Sequence, residues 1–488
     1  MTPDVVVVGA GPTGLAAACA LQEAGVAVRV FDKADGPAVT SRALGLQPRG
    51  VEVLDRLSAL GHLPEHGLPV ERVTVHVDGR PLASLPIGRP ARLHGPAALL
   101  MSQADIEGAL RDRLTALGGT VEWGMPVTGL ATEPDGVAVR AGDSDVRCGW
   151  VVGADGAHSV VRKAAGIGFP GVPIIERFLL ADVHAAIDQP RDGATAWARG
   201  RKLLAAFPLP GDNLWRLMTP ASPDMPDNPA PDDIAGYLGS RLAEEADAAI
   251  DSVVWTSSFR IQRRLADTYR RGRVLLAGDA AHIHSPFGGQ GMNTGIGDAE
   301  NLAFKLALVV TGRADARLLD IYEAERRPIA GDVLKTTSSL TEIVAGQGRA
   351  ARLLRDHVAI PLLNRTWMRR LIAEKASQLQ VSYRRGPWGA SRWSPGIRPG
   401  DRVPDRDCVC ADGSAVRLYD ALGPSWAVLG APVYADVARD RLGAVVALRG
   451  DGSDDSHARL IRPDGHLAWL GSDPAALRAW LDTALGRP

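Results

Sequence analysis

Apolar and polar positions recur along the chain with several periods, and each period predicts a different element. Short β-branched runs come first: Val5–Val8 and Val26–Phe31 flank Leu15–Ala24, a stretch rich in Ala and Leu. Such runs are buried on both faces of a parallel sheet, so strand, helix and strand are expected in that order. Two more runs, Trp150–Val152 and Arg273–Ala277, precede helices expected at Val160–Lys163 and Asp298–Val309. Between about 170 and 265 the pattern changes to alternation, with Arg177–Val183, Leu203–Pro208 and Leu214–Met218 reading as strands that share one apolar face. Arg72–Ile87 is expected to join that sheet. Helical spacing returns from Ile329 to Gln380, interrupted at Pro361, and the Pro/Gly-rich segments Gly386–Gly389 and Pro395–Pro404 mark a boundary. Beyond it, Trp426–Leu429, Ala444–Leu448 and Leu460–Trp469 predict a small α/β unit.

The ends of the β-branched runs carry the chemistry. Gly9-Ala10-Gly11-Pro12-Thr13-Gly14 follows the first strand at once, and Asp32 ends the second. In a dinucleotide fingerprint Gly9 permits the turn, Gly11 lets the backbone approach a pyrophosphate, Gly14 lets helix and strand pack, and Asp32 accepts hydrogen bonds from a ribose. The motif alone does not separate FAD from NAD. Asp155 in Gly153-Ala154-Asp155-Gly156 and Asp279 in Gly278-Asp279 also close strands, where open α/β sheets bind ligands. Residues 286 to 295 lead through paired glycines into a helix that starts with almost no bulky side chains, and a loop of that kind leaves backbone N–H groups bare for a flat or anionic group.

Composition narrows the classes. The 488 residues are 45% hydrophobic and 23% charged with a formal net charge of −1, which suits a globular protein of two or three domains and offers no attraction to nucleic acid. Four cysteines, Cys19, Cys148, Cys408 and Cys410, lack disulfide or CxxC spacing and suit a reducing cytoplasm. No apolar run is long enough to span a membrane. His282 and His284 raise the question of a metal, but only Asp279 accompanies them, so loop-shaping hydrogen bonds are the expected role and no metal is assigned. His158 is expected at a surface or helix start. Trp197, Phe207, Trp215 and Met218 are expected to line an aromatic ligand site, with ordinary core packing equally open.

The three strand ends, in this order, resemble the group A FAD-dependent aromatic hydroxylases, single-component flavoprotein monooxygenases acting on phenols and aromatic polyketides. The resemblance implies a Rossmann-like FAD-binding domain of the p-hydroxybenzoate hydroxylase type over 1–175 and 266–392. It also implies a β-sheet substrate domain over 176–265, joined by about 72–100, and a thioredoxin-like C-terminal domain over 393–488. By the same resemblance Asp279 binds the ribityl chain, and Asp155 with Gly156 serves FAD and a transiently bound NADH or NADPH. Ser41-Arg42-Ala43 is similar to the family's SRA-like loop, with Arg42 at the cofactor, and Gln103 to its cofactor-binding glutamine; Lys33 joins this set. Gly289, Gly291, Met292 and Asn293 supply N–H donors to the reduced ring, while Pro286, Gly288 and Gly289 leave space at C4a, where O2 adds to give the oxygen-transferring hydroperoxide.

Tyr322-x-x-Glu325-Arg326 follows the family's Y-x-x-E-R pattern and reads as a salt-bridge cluster at a helix end. Arg462-Pro463-Asp464-Gly465 resembles a turn of the family's C-terminal domain, for which packing or homodimer contact is expected. The implied activity is hydroxylation of a small phenolic or polyketide-type aromatic. Baeyer–Villiger oxidation and a non-catalytic flavin-binding partner or sensor are the alternatives.

Overall fold

The computed structural model describes residues 2–39, 43–86, 95–199, 202–284, 289–345, 365–390, 395–450 and 457–486. The β-branched runs form one six-stranded sheet, ordered Arg270–Arg271, Val274–Leu276, Trp150–Gly153, Val5–Val8, Val28–Phe31, Val121–Glu122. All neighbours are parallel except the first pair. Val8 pairs with both Gly153 and Phe31, and Gly153 with Leu276, so four strands end level and their loops leave from one rim. That register places Gly9, Asp32, Asp155 and Gly278 side by side although they are distant in sequence.

Two helices complete the rim. Pro12–Glu23 starts at once, with Gly11 as an extended N-cap and Pro12 at the first position, where a missing N–H costs nothing. Gly291–Val310 is buried from Asn293 to Leu308. It begins at Gly291, ahead of the expected Asp298. Glycine is a poor helix former, but Asn293 Nδ2 donates to Gly289 O and Thr294 Oγ1 to Gln290 O, and packing overrides propensity in this first turn. Among the described residues the later helical region holds Leu318–Ala345 and Thr366–Ala376, and Pro361 lies outside them. The Tyr322–Arg326 cluster lies inside the first of these helices, which runs on through Pro328, so the expected helix end is corrected. Buried side-chain partners on Glu325 and Arg326 hold the backbone helical up to the proline.

An eight-stranded sheet holds the alternating segments, with Gly171–Ala185, Leu214–Pro220, Lys202–Pro208 and Gly193–Arg199 in consecutive places and Arg72–Val77 and Arg80–Pro86 at one edge. Helix Pro231–Ala246 packs Ile234, Leu238 and Leu242 on one face of it, against Leu179, Val183, Trp197, Leu204, Trp215 and Leu217. The C-terminal unit is a mixed six-stranded sheet around Trp426–Leu429, with helices Pro432–Leu442 and Pro474–Leu485 on one face. Phe304, Leu308 and Leu318 share that unit's core with Trp426, Tyr434 and Trp469, which docks it on the two long helices. Among the described residues no helix is long and apolar enough to cross a membrane.

Candidate cofactor and active site

Within the glycine loop, packing and ligand access divide between different residues. A Cβ on Gly14 would lie 1.9 Å from Gly9 O, and one on Gly9, at φ +106°, 2.4 Å from Ala154 O. Side chains are excluded at both by neighbouring backbone. A Cβ on Gly11, Gly156 or Gly291 would meet nothing within 4 Å, so these glycines border open space. Thr13 is the wedge between elements: a Cβ on Gly278 would lie 2.6 Å, and one on Gly295 2.2 Å, from its Oγ1. Asp32 Oδ2 accepts the Ala10 N–H at 2.7 Å and Oδ1 the Ala34 N–H at 2.9 Å, which ties the second strand end to the loop; Lys33 beside it is exposed.

Asp155 Oδ2 accepts the N–H groups of Val160 and Val161 at 2.7 and 3.1 Å, capping the helix Val160–Ala164. Its Oδ1 is buried and has no hydrogen-bond partner among the described residues. An orphaned carboxylate oxygen at a strand end is a ready acceptor for a ligand. Gly156 follows at φ +77°, and His158 is exposed one residue before the N-cap Ser159. Gln103 opens the helix Gln103–Ala116 and donates through Nε2 to Glu107 Oε1 at 2.7 Å. Burial pushes the Glu107 carboxyl above its ordinary range, and Asp32 adds to that. Glu107 escaped the sequence reading.

The third strand end is held by charge. His282 is fully buried, and its Nε2 meets Asp298 Oδ2 at 2.6 Å, where that oxygen also accepts the Gly278 N–H at 3.1 Å. Asp298 Oδ1 accepts from Arg326 Nε at 2.7 Å. Burial alone would raise the Asp298 pKa, but His282 and Arg326 outweigh it and bring it down to about 2. Hydrogen bonding therefore shapes this loop through His282, whereas both ring nitrogens of the buried His284 lack a hydrogen-bond partner among the described residues, so the expected role does not extend to it. Asp279 itself is exposed at the strand end, and the protein packed around it pushes its carboxyl pKa up against the pull of His282. Among the described residues no cluster of His, Cys, Asp and Glu is placed to hold a metal.

Asn293 clamps the start of the long helix. Its Oδ1 accepts the Gln47 N–H at 2.8 Å, and its Nδ2 donates to Gly289 O at 2.9 Å and Gly45 O at 3.3 Å. Gly289 (φ +60°) approaches Leu44 O and Gln47 at this junction, and Gly291 and half-buried Met292 leave the first-turn N–H groups without intrahelical acceptors. Arg42, Pro286 and Gly288 lie outside the described residues.

The substrate expectation divides by strand parity. Trp197 and Trp215 pack in the core under helix Pro231–Ala246, which is the ordinary packing that the sequence left open for them. Met218 and Phe207 lie on the opposite face with Phe178 and Phe259. Arg216 shares that parity with Met218; it is bound bidentately by Asp182 at 2.6 and 2.7 Å and donates to Ala43 O at 3.2 Å, which ties this face to the segment leading into Leu44–Leu46. Sequence reasoning missed Arg216, whose signal was a charge inside an otherwise apolar strand.

The buried carboxylates predict an acid limb in stability. Asp298 and Glu325 are both held at about 2, burial being outweighed by their cationic partners. Depressed folded values contribute stability that is complete above the unfolded pKa near 4 and disappears as pH falls toward 2. Roughly 2–3 kcal/mol is expected from each. Urea midpoints should fall steeply below about pH 4; a flat profile there would contradict the network.

The family model described as FAD binding domain matches residues 2–337, and the model described as aromatic-ring hydroxylase, C-terminal, matches residues 397–488. The 6-methylpretetramide 4-monooxygenase of Streptomyces rimosus is 36% identical over 96% of this chain and 91% of its own. A rifampicin monooxygenase of Streptomyces venezuelae is 35% identical over 99% of both chains. Among solved structures, an aromatic hydroxylase from angucycline biosynthesis superposes with a TM-score of 0.81 at 30% identity, over 100% of this chain and 99% of that one. With the motif residues gathered on one rim and these matches running the length of the sequence, the chain belongs to the FAD-dependent aromatic-ring hydroxylases and is a flavin monooxygenase.

Proposed function

We propose that FAD lies along the level strand ends and that the protein hydroxylates a phenolic or aromatic polyketide-type substrate on the sheet face carrying Phe207 and Met218. The single observation that carries this reading is the shared register of Val8, Gly153, Phe31 and Leu276, which brings the glycine loop, Asp32, Asp155 and Asp279 to one rim. The residues fit FAD: Gly11, Gly156 and Gly291 border open space, Asp155 Oδ1 lacks a partner among the described residues, and Asp279 is exposed at the same rim. Gly9, Gly11, Pro12, Thr13 and Gly14 would hold the pyrophosphate, Asp32, with Lys33 nearby, the ribose, and Asp279, Asp155, Gln103 and Arg42 the remainder.

Bound FAD supplies two-electron reduction by NADH or NADPH and activation of O2. The chain supplies the setting. First-turn N–H groups of Gly291, Met292 and Asn293 favour an anionic reduced ring, as the positive end of a helix does. Gly289, with Pro286 and Gly288, is assigned to the space where O2 reacts. The apolar face around Phe178, Phe207, Met218 and Phe259 excludes water and presents flat apolar surface to an aromatic ring.

The reading is tested by incubating the holoenzyme with NADPH, labelled O2 and a panel of phenols and polycyclic polyketides. One labelled oxygen on an aromatic carbon is expected, and an ester product would overturn hydroxylation in favour of Baeyer–Villiger chemistry. The two sheet faces give a second test. Met218→Ala is expected to raise KM several-fold, alongside a cavity cost of about 2 kcal/mol or more, since the side chain packs on Phe178. Trp215→Ala, which empties the core under the helix, is expected to lose about 3–5 kcal/mol while the folded fraction keeps its KM. The reverse assignment of effects would place the substrate on the helix-covered face.

A further inference from the structure

Helix Gly291–Val310 carries a polar stripe that the cofactor reading does not use. Thr294, Asp298, Asn301 and Lys305 fall on one helical face, and each is at most 1% exposed. Their partners come from three elements. Asn301 Nδ2 donates to Glu325 Oε2 at 2.9 Å and to Asp464 Oδ2 at 3.1 Å, and Lys305 Nζ donates to Glu325 Oε2 at 2.9 Å. Arg462, in the C-terminal unit, grips Glu325 through both terminal nitrogens at 2.7 and 2.9 Å and donates through Nε to Asp464 Oδ1 at 2.9 Å. Arg49, on the cofactor side, donates to Asp464 O at 2.6 Å and to Glu300 Oε2 at 2.8 Å.

The network does not stop at the boundary between the units. Arg326 follows Glu325 on the same helix and donates to Asp298 Oδ1 at 2.7 Å and to Thr294 O at 3.0 Å. Asp298 in turn holds the Gly278 N–H and His282. A continuous line of buried contacts therefore runs from the Arg462–Asp464 turn to the Gly278–Asp279 strand end and to the first turn of the long helix.

We propose that the Arg462–Asp464 turn is a positioning element of the cofactor site: by clamping Glu325 it fixes the setting of helix Leu318–Ala345, which seats Arg326 on Asp298. Buried ion pairs add little net stability over apolar packing of the same shape, so geometry is what such a lattice contributes. The planar guanidinium fork of Arg462 fixes Glu325 in orientation as well as distance, which a lysine would not do. The C-terminal unit is by this account part of the cofactor site's framework. The proposal rests on the assignment of the rim to FAD.

The test uses the full chain with Arg462→Lys, which keeps the charge and removes the fork, Arg326→Lys, and the double variant. Asp464→Asn serves as a second outer variant. FAD dissociation constants of the apoproteins, the flavin midpoint potential and melting temperatures are measured together. Arg462→Lys and Asp464→Asn are expected to weaken FAD binding by roughly tenfold, the scale of coupling within one ion-pair network, and to move the potential. The double variant should bind FAD no more weakly than Arg326→Lys alone, because both act along one line. Lowered melting temperatures with a wild-type dissociation constant and potential would overturn the proposal, as would independent addition of the two effects. A wild-type apoprotein that fails to take up FAD would overturn the rim assignment itself.

Discussion

An Asp298→Ala variant is expected to lose about 3–5 kcal/mol of folding stability together with most of its affinity for FAD. The carboxylate is fully buried and serves three donors, the Gly278 N–H, His282 Nε2 and Arg326 Nε. Its removal strands the Arg326 guanidinium without its counter-charge and leaves a backbone N–H unpaired at the strand end that carries Asp279. Total stabilities of domains run to about 5–15 kcal/mol, so the loss is a large share of the whole. Asp298→Asn keeps the shape and one acceptor oxygen, and about 1–3 kcal/mol is expected for it. Denaturant unfolding of the apoproteins and FAD titration of the folded fractions measure the two effects. Wild-type stability in the alanine variant would show that Arg326 and His282 find other partners.

The rim of strand ends, to which FAD is assigned by proposal, was legible because its sequence signals are local. Each strand end carries its own glycines and acid, and parallel pairing then brings Gly9, Asp32, Asp155 and Gly278 together without further instruction from side chains. What holds the rim was hidden for the opposite reason. Arg326 lies 28 residues from Asp298, and Arg462 lies 137 residues from Glu325, so no window of sequence contains both partners. One signal was present: polar residues at 294, 298, 301 and 305, on one face of a helix rich in Ala, Gly and Leu, call for partners from elsewhere.

The substrate sheet was ambiguous in a different way. Leu203-Leu204-Ala205-Ala206-Phe207 is apolar on both faces, so alternation could not say which side faces a ligand. That choice belongs to helix Pro231–Ala246, which covers the Trp197 and Trp215 face. The long helix starts at Gly291, ahead of Asp298, because the Asn293 and Thr294 side chains bond back to Gly289 and Gln290 and support a first turn that contains glycine.

Alanine at Gly14 and alanine at Gly11, three positions apart on one loop, are expected to fail in different ways. At Gly14 the added methyl would sit 1.9 Å from Gly9 O and 3.3 Å from Ala154 Cβ. Neither the Gly9 backbone nor the adjoining strand end can swing aside, so helix Pro12–Glu23 must lift from the sheet, at about 1–3 kcal/mol or more. FAD binding should fall with it, since the helix start moves. At Gly11 the backbone is extended, at φ −75°, and the methyl meets nothing within 4 Å. The apoprotein should therefore be unchanged, or more stable by about 0.4–1 kcal/mol through a less flexible unfolded chain. Its affinity for FAD should nonetheless drop at least tenfold, because the methyl occupies the space through which the backbone reaches the pyrophosphate. Urea unfolding without cofactor and fluorescence titration with FAD separate the two cases. A Gly11→Ala protein that is stable and binds FAD as tightly as wild type would show that the open space above this turn is not where the cofactor lies.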